Sequence, residues 1–83
     1  MKAAIISSHG SRDVLEYKEI DDPICTPDTV KVNIKASSIN HLDIWVREGI
    51  PGIKVPLPMV LGSDASGIVT EIGSNIDSFN IGD

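Results

Sequence analysis

Aromatic side chains are almost missing from this chain: one Trp, one Tyr and one Phe make up 4% of it. Any core must therefore be aliphatic, built from Ile, Val, Leu and Ala. Positive charge is scarce as well. The Lys+Arg total of 7 against an Asp+Glu total of 12 leaves a formal net charge of −5. With no cluster of cations to neutralise phosphates, a nucleic-acid surface is excluded. Long hydrophobic runs are absent too: nothing approaches the roughly 18 consecutive apolar residues of a membrane span. The four-residue apolar run in "MKAAIISSHG" is too short for a secretory signal. Cysteine occurs once, as Cys25, so no internal disulfide can form, which is compatible with a reducing cytoplasm. One Cys and two His also argue against a self-contained zinc site with the usual four ligands.

What is present fits one small soluble domain. The chain has 83 residues, 41% hydrophobic and 23% charged. "KAAII" (2–6) reads as a short strand ended by the turn-forming "SSHGSRD". "VLEYKEI" (14–20) is a second strand, with Leu15 and Tyr17 on one face and Glu16 and Lys18 on the other. "DDPICTPD" (21–28) breaks the pattern with two prolines and three aspartates and is loop. In "VKVNIKAS" (30–37), Val30, Val32, Ile34 and Ala36 alternate strictly with polar residues, the signature of a strand with one buried face.

The period changes at Asn40. Leu42, Trp45 and Val46 fall on one stripe of a short helix over 40–48, with Asn40 as its N-cap and Asp43 at the favoured acidic position of its first turn. Gly49 closes the helix and Pro51 prevents its continuation. A proline-stiffened loop (49–58) leads to "DASGIVTEIG" (64–73), a strand in which Ile68, Thr70 and Ile72 alternate against Val69 and Glu71. Turns in "SNIDSFNIGD" follow. A Gly-Asp turn normally delivers the chain into a partner strand, so the expectation is a strand at 64–73 short of its hairpin partner and a sequence that is the front part of a longer protein.

The polar residues Asn40, His41, Asp43, Ser63 and Asp64 each have an ordinary reading. Asn40 is a cap, His41 a first-turn residue facing solvent or the loop, and Asp43 an acceptor for the helix start. Gly62-Ser63-Asp64 is a tight turn into a strand. Their order and spacing point further. A strand, then "S-S-I-N-H-x-D" opening a helix, a proline loop, "P-x-V-L-G-S-D-A-S-G-I-V" and a closing "I-G-D" together resemble the N-terminal GroES-like part of the medium-chain dehydrogenase/reductase superfamily. The resemblance runs from "MKAAI" to "IGD".

It implies a mainly β fold, a GroES-like partly open β-barrel, here its N-terminal portion (1–83), with one short α-helix near 40–48. The Rossmann domain that binds NADH or NADPH would lie outside these residues, which hold no Gly-x-Gly-x-x-Gly turn and so no place for a pyrophosphate. Alone, the chain is expected to be inactive.

In zinc alcohol dehydrogenases, a Cys thiolate and a His imidazole ligate catalytic zinc from these two motifs. Asn40 stands at the Cys position and Ser63 at the His position, both poor zinc donors, and Leu42 replaces the hydroxyl residue of the proton relay. Asp43, which orients the ligand His in those enzymes, has no such His here. No metal ligand is therefore expected among these residues, and the four cysteines of a structural zinc would lie beyond Asp83. The zinc-free quinone oxidoreductases match better, with Asn at the Asn40 position, a helix end like Val46-Arg47-Glu48-Gly49, and Gly62-Ser63-Asp64.

This branch implies an NAD(P)H-dependent oxidoreductase for a small carbonyl, quinone or alcohol, cytoplasmic and homo-oligomeric when full length. The candidate catalytic residues are Asn40, Asp43 and Asp64, with Asn40 and His41 toward the cofactor. Asp64 either faces substrate or fixes the loop. The alternatives are an alcohol dehydrogenase with an atypical metal site, a stand-alone GroES-like binding or assembly module, and a truncated fragment without function. Cooperative unfolding and a defined oligomer would distinguish the module from the fragment.

Overall fold

A computed structural model describes Met1–Asp83. Five strands and one α-helix form in the order β1 (Lys2–Ile6), β2 (Glu16–Glu19), β3 (Val30–Ser38), α1 (His41–Glu48), β4 (Met59–Val60) and β5 (Asp64–Ile72). The chain divides into two compact units, one of Met1–Asp21 with Ser38–Asp64 and one of Asp22–Ser37 with Ala65–Asp83.

The first unit is built on an antiparallel sheet in the order β2-β1-β4. Lys2 pairs with Glu19 and Ile5 with Glu16 on one side, and Ile5 pairs with Val60 and Ile6 with Met59 on the other. β1 is thus the central strand, and its composition explains why. Ala3 (8% exposed) and Ile5 (4%) are buried on one face, while on the other only Ile6 (0%) is buried and Lys2 and Ala4 stay exposed. β2 is an edge strand and entirely exposed, with its charges turned to water. It starts at Glu16 and not at Val14, because Arg12–Val14 winds into a 3-10 turn capped by Ser11, whose Oγ accepts from the Asp13 N–H at 3.4 Å. β4 was not expected: "MV" at 59–60 is too short to show a period and becomes a strand only by pairing with β1.

The second unit holds the β3–β5 pair. Thr70 Oγ1 donates to the Lys31 carbonyl at 3.3 Å and the Gly73 N–H to the Thr29 carbonyl at 2.8 Å. Partners rise along β5 as they fall along β3, so the strands run antiparallel. Gly67 is required where they pass, since a Cβ there would collide with the Asn33 carbonyl oxygen and come within 2.8 Å of Val32 Cγ1. Asn75 ties the far turn to the strand entrance by donating to Asp28 Oδ1 at 2.7 Å.

One expectation about faces needs correction. β3 forms as predicted, but its apolar face is not buried: Val32 is 37% and Ile34 54% exposed. The unit has only two strands, and no second layer of its own covers that face. On β5 the buried residue is Val69 (5%), while Ile68, on the opposite face, is 42% exposed. The expected gap beside β5 is partly filled as well. The last turn brings Gly82 and Asp83 back to Val69, whose N–H donates to the Asp83 carbonyl and whose carbonyl accepts from the Gly82 N–H, both at 2.9 Å.

Candidate functional site

The site grows from the start of α1. Asn40 is extended (φ −123°, ψ 143°), and its Oδ1 accepts from the Leu42 N–H at 2.9 Å. Asp43 answers with Oδ2, accepting from the Asn40 N–H at 3.0 Å, so the two residues form a reciprocal capping box. This satisfies helix donors that would otherwise lack partners and places acidic charge at the positive helix end. Both residue types were chosen by local helix chemistry, as expected.

The box is extended by residues 20 and 24 positions away in sequence. Asn40 Nδ2 donates to Asp64 Oδ2 at 3.0 Å, and Ser63 Oγ donates to Asp43 Oδ1 at 3.4 Å. Ser63, Asp43, Asn40 and Asp64 therefore form one continuous hydrogen-bonded chain between the helix start and the first residue of β5. Both oxygens of Asp43 accept hydrogen bonds within this chain. One N–H of the Asn40 amide and one carboxylate oxygen of Asp64 lie outside these bonds, on residues that are both exposed. A donor and an acceptor held side by side can bind a ligand that offers the complementary pair.

His41 is not drawn into this chain. Its ring packs edge-on against Trp45, with centroids 4.9 Å apart and planes at 70°. No group of three or more His, Cys, Asp or Glu stands where it could hold a metal ion. No helix is long and apolar enough to cross a membrane.

The other end of α1 carries features the sequence did not reveal. The helix stops at Gly49 (φ 99°), whose N–H donates to the Trp45 carbonyl at 2.9 Å. Beyond it lies a cavity of about 360 Å³ lined by Trp45, Glu48, Gly49, Ile50 and Pro51. His9 and Gly10, read only as turn residues, meet this end of the helix. The Gly10 N–H donates to the Arg47 carbonyl at 3.0 Å, and Arg47 Nε donates to the Gly10 carbonyl at 3.2 Å. No periodic pattern connects positions 37 residues apart, and the one available hint was a His-Gly pair in a loop otherwise rich in Ser.

A small, mainly β domain with a capped helix and an exposed polar edge defines a class of scaffold, and comparison with known proteins assigns it. The pattern of the alcohol dehydrogenase GroES-like domain matches residues 26–83. The mitochondrial NAD(P)H oxidoreductase RTN4IP1 of Dictyostelium discoideum is 39% identical over 90 aligned residues, covering 100% of this chain and 25% of that protein. A crystal structure of an NAD-dependent alcohol dehydrogenase superposes with a TM-score of 0.86 at 42% identity, over 100% of this chain and 24% of that one. The quinone oxidoreductase of Escherichia coli in complex with NADPH gives 0.89 at 30% identity, over 100% and 25%. The chain belongs to the alcohol dehydrogenase GroES-like domain family, within the medium-chain dehydrogenase/reductase superfamily. The expected fold, mainly β and GroES-like with one short helix, holds. The chain spans about a quarter of the length of the relatives it matches.

Proposed function

We propose that these residues form the N-terminal part of the GroES-like catalytic domain of an NAD(P)H-dependent oxidoreductase that reduces a small quinone or carbonyl compound without a catalytic zinc. The Rossmann domain of that enzyme lies outside these 83 residues, the whole acts as a cytoplasmic homo-oligomer, and the segment alone is inactive. The observation that carries the reading is the Asn40–Asp64 pair at 3.0 Å, which leaves one amide N–H and one carboxylate oxygen at the exposed start of α1. On this reading the mostly apolar cavity beyond Gly49, whose lining does not include Asn40 or Asp64, receives the substrate's ring.

The nicotinamide supplies the hydride when bound. Asn40 directs its remaining amide N–H at the substrate carbonyl oxygen, where it stabilises the negative charge that develops there. Asp64 holds that amide in orientation through Nδ2, and Asp43 holds the Asn40 backbone and the Ser63 hydroxyl. His41, in the first turn of α1, stands on the cofactor side. The donor set favours a reaction that does not use catalytic zinc. Asn40 Oδ1 is already spent on the Leu42 N–H and Ser63 offers a neutral hydroxyl, so neither supplies a thiolate or imidazole, and no three His, Cys, Asp or Glu converge to hold the ion.

The test is NADH and NADPH oxidation by the full-length protein with 1,4-benzoquinone, before and after chelation, with metal content measured by mass spectrometry. The expected result is quinone-dependent turnover that survives chelation. Activity abolished by chelation and restored by zinc would instead establish an alcohol dehydrogenase with an atypical metal site. That second reading is favoured by the 42% identity to an NAD-dependent alcohol dehydrogenase.

A further inference from the structure

The end of α1 is held by a strap that the proposed reaction does not by itself require. Carbonyls in the last turn of a helix have no partner within it. Those of Val46 and Arg47 are both met by one side chain, His9, whose Nδ1 lies 3.0 Å from the first and 3.3 Å from the second. Two carbonyls can only accept, so Nδ1 carries the proton and donates to both. The Gly10 N–H adds a bond to the Arg47 carbonyl, and Arg47 Nε returns one to the Gly10 carbonyl. Loop and helix end are thus clasped in both directions.

The clasp reaches the cavity through Gly49. A Cβ at Gly49 would lie 3.3 Å from His9 Cγ and 3.5 Å from Cβ and Nδ1, so the imidazole rests directly on this glycine. Gly49 also lines the cavity, together with Ile50 and Pro51 and with Trp45 and Glu48 of the helix. The side chain that covers Gly49 therefore bears on the segment that shapes the pocket.

We infer that His9 is a positioning residue for substrate: it sets where Gly49–Pro51 stand and so fixes the width of an apolar pocket that accepts a flat ring. The inference rests on the proposed oxidoreductase reading, under which that pocket receives the quinone. His9 touches neither substrate nor cofactor. Its removal should loosen the fit for substrate and leave the chemical step and the cofactor alone.

Two variants separate the parts of the contact. His9→Phe keeps a ring on Gly49 but cannot donate to the two carbonyls. His9→Asn keeps a short donor near the place of Nδ1 but loses the ring. In the full-length protein, hydrogen exchange of the peptide covering 45–53 is measured together with KM for 1,4-naphthoquinone, KM for NADPH, and kcat. The expected result for His9→Phe is faster exchange in that peptide and a quinone KM raised roughly fivefold, the scale of one lost neutral hydrogen bond. The NADPH KM and kcat should stay within about twofold, and His9→Asn should return both readouts toward wild type. Arg12→Ala, in the same loop but outside the clasp, should change neither.

Unchanged exchange and unchanged quinone KM in His9→Phe would overturn the inference. Faster exchange with an unchanged quinone KM would overturn it too, leaving His9 as a helix cap and nothing more. Should His9→Phe not fold, His9→Ala takes its place beside His9→Asn, with the same outcomes deciding. If the wild-type protein reduces no quinone or other carbonyl with either nicotinamide, the functional reading fails. The strap is then judged on the exchange and on quenching of tryptophan fluorescence by the naphthoquinone.

Discussion

Asn40 makes three commitments with one side chain and one backbone N–H, and they pull its substitutions in different directions. In Asn40→Ala the Leu42 N–H loses its acceptor and Asp64 loses its donor. A lost N-cap costs about 1 kcal/mol, within a range of roughly 0.5–2, which denaturant titration would show. On the proposed reading activity suffers more, with kcat falling roughly 10²-fold as one oxyanion donor disappears. Asn40→Asp keeps the cap oxygen but sets a second carboxylate against Asp64. Like charges this close raise the pKa of one of the pair. The stability deficit of this variant relative to wild type is therefore largest at neutral pH and narrows as pH falls and one carboxyl takes a proton. A deficit that does not change between pH 7 and pH 4 would contradict the assigned pairing. Asp43 was readable as a candidate from its motif alone. That both oxygens of Asp43 are consumed by structure was not, because the Ser63 contact spans 20 residues.

At the scale of elements, helix and strand boundaries follow local chemistry and their partnerships do not. Gly49 and Gly52 both have positive φ, 99° and 80°, but only Gly49 has a neighbour, His9, against which a Cβ would press. Alanine at either position incurs the conformational strain, on the order of 1 kcal/mol. Gly49→Ala should cost more than Gly52→Ala in a thermal melt because His9 must also yield. Gly67→Ala is expected to be the more severe change in its own unit. There the obstacle is the Asn33 backbone carbonyl, which cannot move without breaking the β3–β5 pairing. In the other unit, Ile6 is fully buried on the central strand. Ile6→Ala should lower unfolding stability by about 2–5 kcal/mol, whereas Ile34→Ala, at a 54% exposed position, should cost far less in these residues.

For the molecule as a whole, the apolar surface is what the small core leaves over. Four hydrophobic residues are buried, Ala3, Ile5, Ile6 and Val69, while Tyr17, Ile24, Ile39 and Ile81 are each more than 70% exposed. If the dinucleotide is bound elsewhere in the enzyme, residues 1–83 produced alone will neither oxidise NADPH nor bind it in isothermal titration. Micromolar binding by this segment would overturn the proposed division of labour. The sequence by itself determined the strands at 2–6, 30–37 and 64–73, the helix after Asn40 and the turns between them. Each depends on neighbours within a few positions: alternation, a capping box, a glycine stop, a proline. Only the tertiary structure decided which faces are buried, that "MV" becomes β4 against β1, and that Gly82 and Asp83 return to Val69. It alone joined Asn40 to Asp64 and His9 to the end of α1. Contacts across 24 and 37 residues leave no period in the chain, because they are set by how separately formed elements pack and not by the order of residues within any one of them.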